Sequence, residues 1–231
     1  MKRILLAGII AACLAGPAAA AERRYSVGDF DRVRIEGPYE VTLATGRPST
    51  ATANGSQQGL DRVTVEVQDR ILHVRPNRSA WGGPPGPAGP VRVALTTRDL
   101  RTATIIGSGA LNIDKARGLR IDLSVSGSGR LALAAVEADM LIVGLSGAGK
   151  ITLGGRAKQL RAAIQGTGDL DAGALRADGA DIKADTSGAV RLIAVRTAKV
   201  LATGTGEVSI GGAPACTITG PSADRVRCGA P

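Results

Sequence analysis

A short turn of small residues recurs through the second half of the chain, and its spacing constrains the fold more than any other feature. The turns read Gly107-Ser108-Gly109, Gly127-Ser128-Gly129, Gly147-Ala148-Gly149, Gly166-Thr167-Gly168, Thr186-Ser187-Gly188 and Gly204-Thr205-Gly206. Their last glycines are separated by 20, 20, 19, 20 and 18 residues. Self-similarity at a near-fixed period of this length marks a stacked repeat. Two and four residues after each turn stand Leu111 and Ile113, Leu131 and Leu133, Ile151 and Leu153, Leu170 and Ala172, Val190 and Leu192, Val208 and Ile210. The same alternation precedes the turns, as in Ile121, Leu123 and Val125 or Leu141, Val143 and Leu145. Apolar residues at every second position read as half-buried strands. Each period is therefore read as two short strands joined by a tight corner, with a second corner such as Ala172-Gly173-Ala174.

This pattern predicts an all-β chain folded as a parallel β-solenoid (β-helix) of about 20 residues per coil, each coil stacked on the last at about 4.8 Å. An antiparallel β-sandwich is the alternative. In the solenoid the repeat-turn glycines Gly109, Gly129, Gly149, Gly168, Gly188 and Gly206 supply positive φ and let neighbouring coils approach closely. The aromatic content of 2% agrees with a narrow interior filled by Leu, Val, Ile and Ala.

The ends of the chain carry a different message. Residues 1–21 read as a signal peptide: Lys2 and Arg3, an apolar run from Ile4 to Leu14, then Ala18-Ala19-Ala20-Ala21 for cleavage near Glu22. An alternative uses Ile10-Ala11-Ala12-Cys13 as a lipoprotein box, which would anchor the chain through a lipid on Cys13. The mature chain holds no transmembrane span on this reading. Residues 22–95 read as a β-rich start or capping unit, with a Pro/Gly loop at 81–90; residues 96–212 as the repeat solenoid; residues 213–231 as a C-terminal segment stapled by a disulfide between Cys216 and Cys228. The formal net charge of +9 becomes +7 once Lys2 and Arg3 are removed, which suits anionic envelope partners. Nucleic acid is not expected, since no aromatic residue follows Trp81 to stack on bases.

The opening Phe30…Val33-Arg34-Ile35-Glu36-Gly37-Pro38-Tyr39-Glu40-Val41, the Leu72…Val74 strand and the serial Ser-Gly turns together resemble the head-GIN-domain family of proteins classed as auto-transporter adhesins, over roughly residues 25–212. The resemblance implies an exported bacterial protein and a right-handed solenoid. It brings no catalytic residues to carry over.

Few residues carry candidate chemistry. Asp169 and Asp171 stand at i and i+2 on one strand, roughly 7 Å apart, a spacing compatible with an inverting carboxylate pair in glycoside hydrolysis. The polysaccharide-degrading enzyme this suggests is the alternative function. Lys150 and Arg191, one coil away, read more simply as the partners of both carboxylates in a charge ladder. Calcium is not expected, because the position after the turn reads Ala110, Arg130, Lys150, Asp169, Ala189 and Glu207. Trp81 is a candidate contact for a sugar or partner surface. The expectation is thus a non-enzymatic, monomeric, exported protein, periplasmic or at the cell surface. It would act as an adhesin-like binding or scaffolding module for an envelope polysaccharide or surface protein, with no cofactor and no metal.

Overall fold

The structure is a computed structural model that describes residues 21–77 and 90–230. Five long strands, β9 (Ala110–Gly127), β10 (Arg130–Gly147), β11 (Lys150–Gly166), β12 (Asp169–Thr186) and β13 (Val190–Ala202), pair in parallel, each on the next. The repeat is therefore a parallel β-solenoid, as the period predicts.

Each coil has more corners than the sequence suggests. In β10 the buried residues are Leu131, Leu133, Val136, Ala138, Leu141, Val143 and Leu145. Alternation breaks at Ala134-Ala135 and again at Asp139-Met140, where two neighbouring residues both face out. With the turn at Gly147-Ala148-Gly149, this gives three short sides, not two strands and two corners. Backbone pairing runs almost unbroken around the corners, so each coil registers as one strand of 13 to 18 residues.

The two glycines of each turn do different work. Gly107, Gly127, Gly147 and Gly166, each the first glycine of its turn, have positive φ, whereas Gly204, first in the last turn, does not. The second glycines do not; they are small because the coil below is close. The expectation that the last glycines supply both properties is corrected accordingly. At Thr186, which stands in place of a first glycine, the side-chain hydroxyl instead donates to the Gly168 carbonyl and accepts from the Gly188 N–H, both at 3.0 Å.

The first third of the chain enters the same stack. β1 (Ala21–Tyr25), β2 (Arg32–Glu36), β3 (Glu40–Thr45), β4 (Thr50–Gly55), α1 (Gln57–Asp61), β5 (Val63–Gln68), β6 (Ile71–Pro76), β7 (Arg92–Thr97) and β8 (Thr102–Gly107) precede the long strands. β2 and β3, joined by Gly37-Pro38-Tyr39, pair in parallel with β8 and with the start of β9. They form a coil of their own, so no break in the ladder falls at residue 95. β6 and β7 lie beneath that coil, again in parallel. The chain thus builds one coil, then the coil below it, then crosses through buried Leu100 to continue above. Capping is confined to the antiparallel strands β1, β4 and β5 and to α1, which buries Leu60.

At the other end, β14 (Val208–Gly211), β15 (Ala215–Thr219) and β16 (Val226–Ala230) complete the stack. The Cys216–Cys228 disulfide joins β15 to β16, which stacks on β14, and so ties the last two levels of the stack together. One apolar core runs through all of this. Its inward columns, such as Leu111-Leu131-Ile151-Leu170-Val190-Val208, gain about 1.5–3 kcal/mol for each large side chain buried.

Candidate functional site

Asp169 and Asp171 are half-buried on the side that follows the turn. Lys150 and Arg191 share their register, as the charge ladder requires. The ion pairs of that ladder do not form, however. Asp169 accepts from the backbone N–H of Ala189 at 2.8 Å, and Asp171 from that of Gly173 at 3.2 Å. Each carboxylate is engaged by a turn of the backbone. Trp81 lies outside the described residues. Among the described residues, no group of three or more His, Cys, Asp or Glu side chains is placed to hold a metal ion. No helix among them is long and apolar enough to cross a membrane.

The feature with a shaped surface lies elsewhere, at the corner after the first short side. Arg117, Glu137, Arg156 and Arg176 occupy one outward position on four successive coils. Glu137 bridges its two neighbours, with Arg117 at 2.5 Å and Arg156 at 2.6 Å. The Arg156 hydrogen bond is the main reason its carboxyl is held below the usual carboxylate range, and the charge of Arg117 adds to it. Arg176 stacks directly on Arg156 and has no acidic partner within ion-pairing distance among the described residues.

Beside this column runs an open groove of about 690 Å³. Arg98, Lys115, Arg117, Arg156 and Arg176 line it against Asp99 and Glu137, five cations against two carboxylates. Its floor is small and apolar: Gly46, Ala116, Ala135, Val136 and Gly155. A one-residue shortening of the coil exposes that floor. Ala134 and Ala135 on β10 face a single residue, Gly154, on β11, and the ladder shifts register between Leu133 and Val136. Gly154 and Gly155 leave the corner without side chains. A Cβ on Gly154 would meet the Ala134 carbonyl oxygen, and one on Gly155 would meet the backbone of Val136. On the far side of the Arg column, Asp139 and Lys158 pair at 2.8 Å, and this hydrogen bond raises the Lys158 pKa. Leu119 and Val195, two large exposed apolar side chains, flank that side.

A second cluster sits where the chain crosses between coils. Asp31 is buried, and its carboxylate draws Arg70 at 3.1 Å, Arg32 at 3.5 Å and Arg101 at 3.6 Å from three separate segments. Arg70 occupies a left-handed turn position, φ 61°, that favours glycine. Arg32 also donates to the backbone carbonyl of Asp69, and the cluster reads as an internal clamp.

None of the groove residues stands out in the linear sequence. A signal for them does exist: aligned on the turn glycines, Arg117, Glu137 and Arg176 fall eight residues after Gly109, Gly129 and Gly168, and Arg156 seven after Gly149. The missing residue marks the shortened corner.

Residues 29–214 match the sequence model of a family described as "Putative auto-transporter adhesin, head GIN domain". Solved structures share the fold. A "putative adhesin" from Bacteroides fragilis superposes with a TM-score of 0.79 at 18% identity, over 88% of this chain and 95% of that one. A "putative lipid binding protein" from Parabacteroides distasonis gives 0.69 at 17% identity, over 89% and 95%. A "putative adhesin" from Parabacteroides merdae gives 0.66 at 16% identity, over 89% and 94%. No curated protein matches the chain.

Proposed function

Because the chain belongs to the auto-transporter adhesin head GIN domain family, we propose that it is a non-enzymatic binding module of the bacterial cell envelope. The family and the disulfide both point to an exported or cell-surface protein. The leader at residues 1–21 takes it there and is removed near Glu22, leaving a monomeric rod free in the periplasm or at the surface.

The observation that carries this reading is the cationic corner groove, which crosses several coils of a rigid stack. A site with charges fixed at coil spacing suits an extended partner, either an envelope polysaccharide or a surface protein. The carboxylates of Asp169 and Asp171 already cap backbone turns, which disfavours a hydrolytic role for them.

The test is binding of the purified mature chain to fractionated envelope at low and high ionic strength. Saturable binding to one fraction, weakened by salt, is expected. Failure to bind any fraction at low salt overturns the proposal. Intact mass of the native product reports the processing. A start at Ala21 or Glu22 is expected, whereas a lipidated Cys13 would make the protein a membrane-tethered module.

A further inference from the structure

We infer that the corner groove holds one strand of an acidic polysaccharide, with Arg156 and Arg176 gripping its anionic groups and Arg117 and Lys115 extending the contact. The inference rests on the binding-module reading and names its ligand class and site.

Three observations converge on it. Arg176 is stacked in register on Arg156 with no acidic partner within ion-pairing distance among the described residues. Like charges directly opposite on adjacent strands repel, and an anion between the two guanidiniums removes that repulsion. The groove carries three more cations than carboxylates. Its floor is small and apolar, with Gly155 at the corner where the coil is one residue shorter.

The geometry favours a charged polymer over other anions. Arg176 lies one coil above Arg156, and Arg117 two coils below it, which sets the cations about 4.8 Å and about 10 Å apart. A sugar residue in an extended chain advances by a similar distance, so a uronic acid strand along the solenoid axis would place carboxylates at the levels of Arg156 and Arg176, while Glu137 holds the level between Arg156 and Arg117. The forked guanidinium matches a carboxylate or sulfate in two parallel hydrogen bonds. The cations rise in single file along the stack, which fits a linear anionic chain better than a flat anionic membrane. The strands beneath the groove are paired on both edges, so an extended peptide finds no free backbone there to add to. The lining has no aromatic ring on which nucleic acid bases could stack.

The experiment is calorimetric titration of the mature chain with polygalacturonate, with neutral dextran and with anionic phospholipid vesicles, at about 0.01 M and about 0.15 M salt. Polygalacturonate should bind and dextran should not. The double variant Arg156→Gln/Arg176→Gln should lose affinity by about tenfold or more. These side chains are exposed, and an unchanged circular dichroism spectrum and denaturation midpoint would show that the variant folds. A double variant that binds polygalacturonate like the wild type overturns the site. Equal binding of dextran, or preference for the vesicles, overturns the ligand class. Envelope fractions that bind while polygalacturonate does not would overturn this inference and leave the binding module standing. Silence with both would overturn the two together.

Discussion

A methyl group on Gly129 would lie 2.8 Å from the carbonyl oxygen of Gly109, its counterpart one coil below. The turn at Gly149 has the same relation to Gly129, at 2.7 Å. The obstacle is partly backbone, held by the ladder on both sides, and partly the buried Ile105 side chain, whose methyl would lie 2.7 Å from the Gly129 substituent. Gly129→Ala should therefore destabilise the fold by about 2–3 kcal/mol, near the upper end for a single substitution. Ala148→Ser, at the exposed tip of the next turn, should stay within about 0.5 kcal/mol. Urea denaturation followed by circular dichroism checks both. Equal midpoints for the two variants would refute the close-approach account.

The turn glycines and inward columns were legible in the sequence because each coil repeats the same local demand. Leu131 and Leu133 must be apolar for the same reason as Ile151 and Leu153. What was not legible depends on contacts between coils. Nothing local places β6 below β2 and β8 above it, since all three carry the same alternation. The third side was hidden because a corner that keeps its backbone pairing needs no glycine or proline, as at Asp139-Met140. The column of Arg117, Glu137, Arg156 and Arg176 appears only when the shortened coil is aligned with its neighbours.

The Cys216–Cys228 bridge closes a short loop at the open top of the stack. A loop of this size contributes about 3 kcal/mol by restricting the unfolded chain. In a solenoid each coil leans chiefly on its neighbours, so the effect should be local. On reduction, amides of β15 and β16 should exchange with solvent faster, while those of β10 and β11 keep their protection. Uniform loss of protection across all coils would show that the end coil governs global stability.

Asp31 holds three arginines that come from β2, from the turn between β5 and β6, and from the crossing segment. Its backbone carbonyl also accepts from the Arg101 N–H at 2.8 Å. Asp31→Ala would leave these guanidiniums without their common counter-charge. Removing one partner of a buried ion pair costs about 3–5 kcal/mol. The arginines here are partly exposed, so about 2 kcal/mol is expected. Arg70→Gly should cost less than Asp31→Ala, because glycine relieves the left-handed turn while the ion pair is lost. A denaturation series on the two variants decides the order, and the reverse order would mean that Asp31 is not the hub.

Asp169 tests the hydrolytic alternative. Its carboxylate serves the Ala189 N–H. Asp169→Asn keeps an acceptor oxygen and should leave stability nearly unchanged. Asp169→Ala should lose about 1 kcal/mol. Neither variant should alter the release of reducing ends from an envelope polysaccharide. If wild-type protein releases them and Asp169→Asn abolishes the release, the carboxylate pair is catalytic and the binding-module reading fails.

Glu137 gives the groove a pH signature. Its folded-state pKa is lowered first by the Arg156 hydrogen bond and then by the charge of Arg117. A depressed carboxylate pKa adds stability above the unfolded pKa, and that contribution is lost as pH falls through the folded pKa. The stability advantage of wild type over Glu137→Gln should therefore be present at neutral pH and vanish in acid, below the ordinary glutamate range. In an NMR titration the Glu137 midpoint should rise more in Arg156→Gln than in Arg117→Gln, since Arg156 is the stronger of the two influences. The same substitution that costs stability should favour the ligand: Glu137→Gln removes one of the two carboxylates facing five cations, so polygalacturonate should bind more tightly and with a steeper salt dependence. Weaker binding in Glu137→Gln would mean that Glu137 is needed to position Arg156 and Arg117, and that the charge excess alone does not hold the polymer.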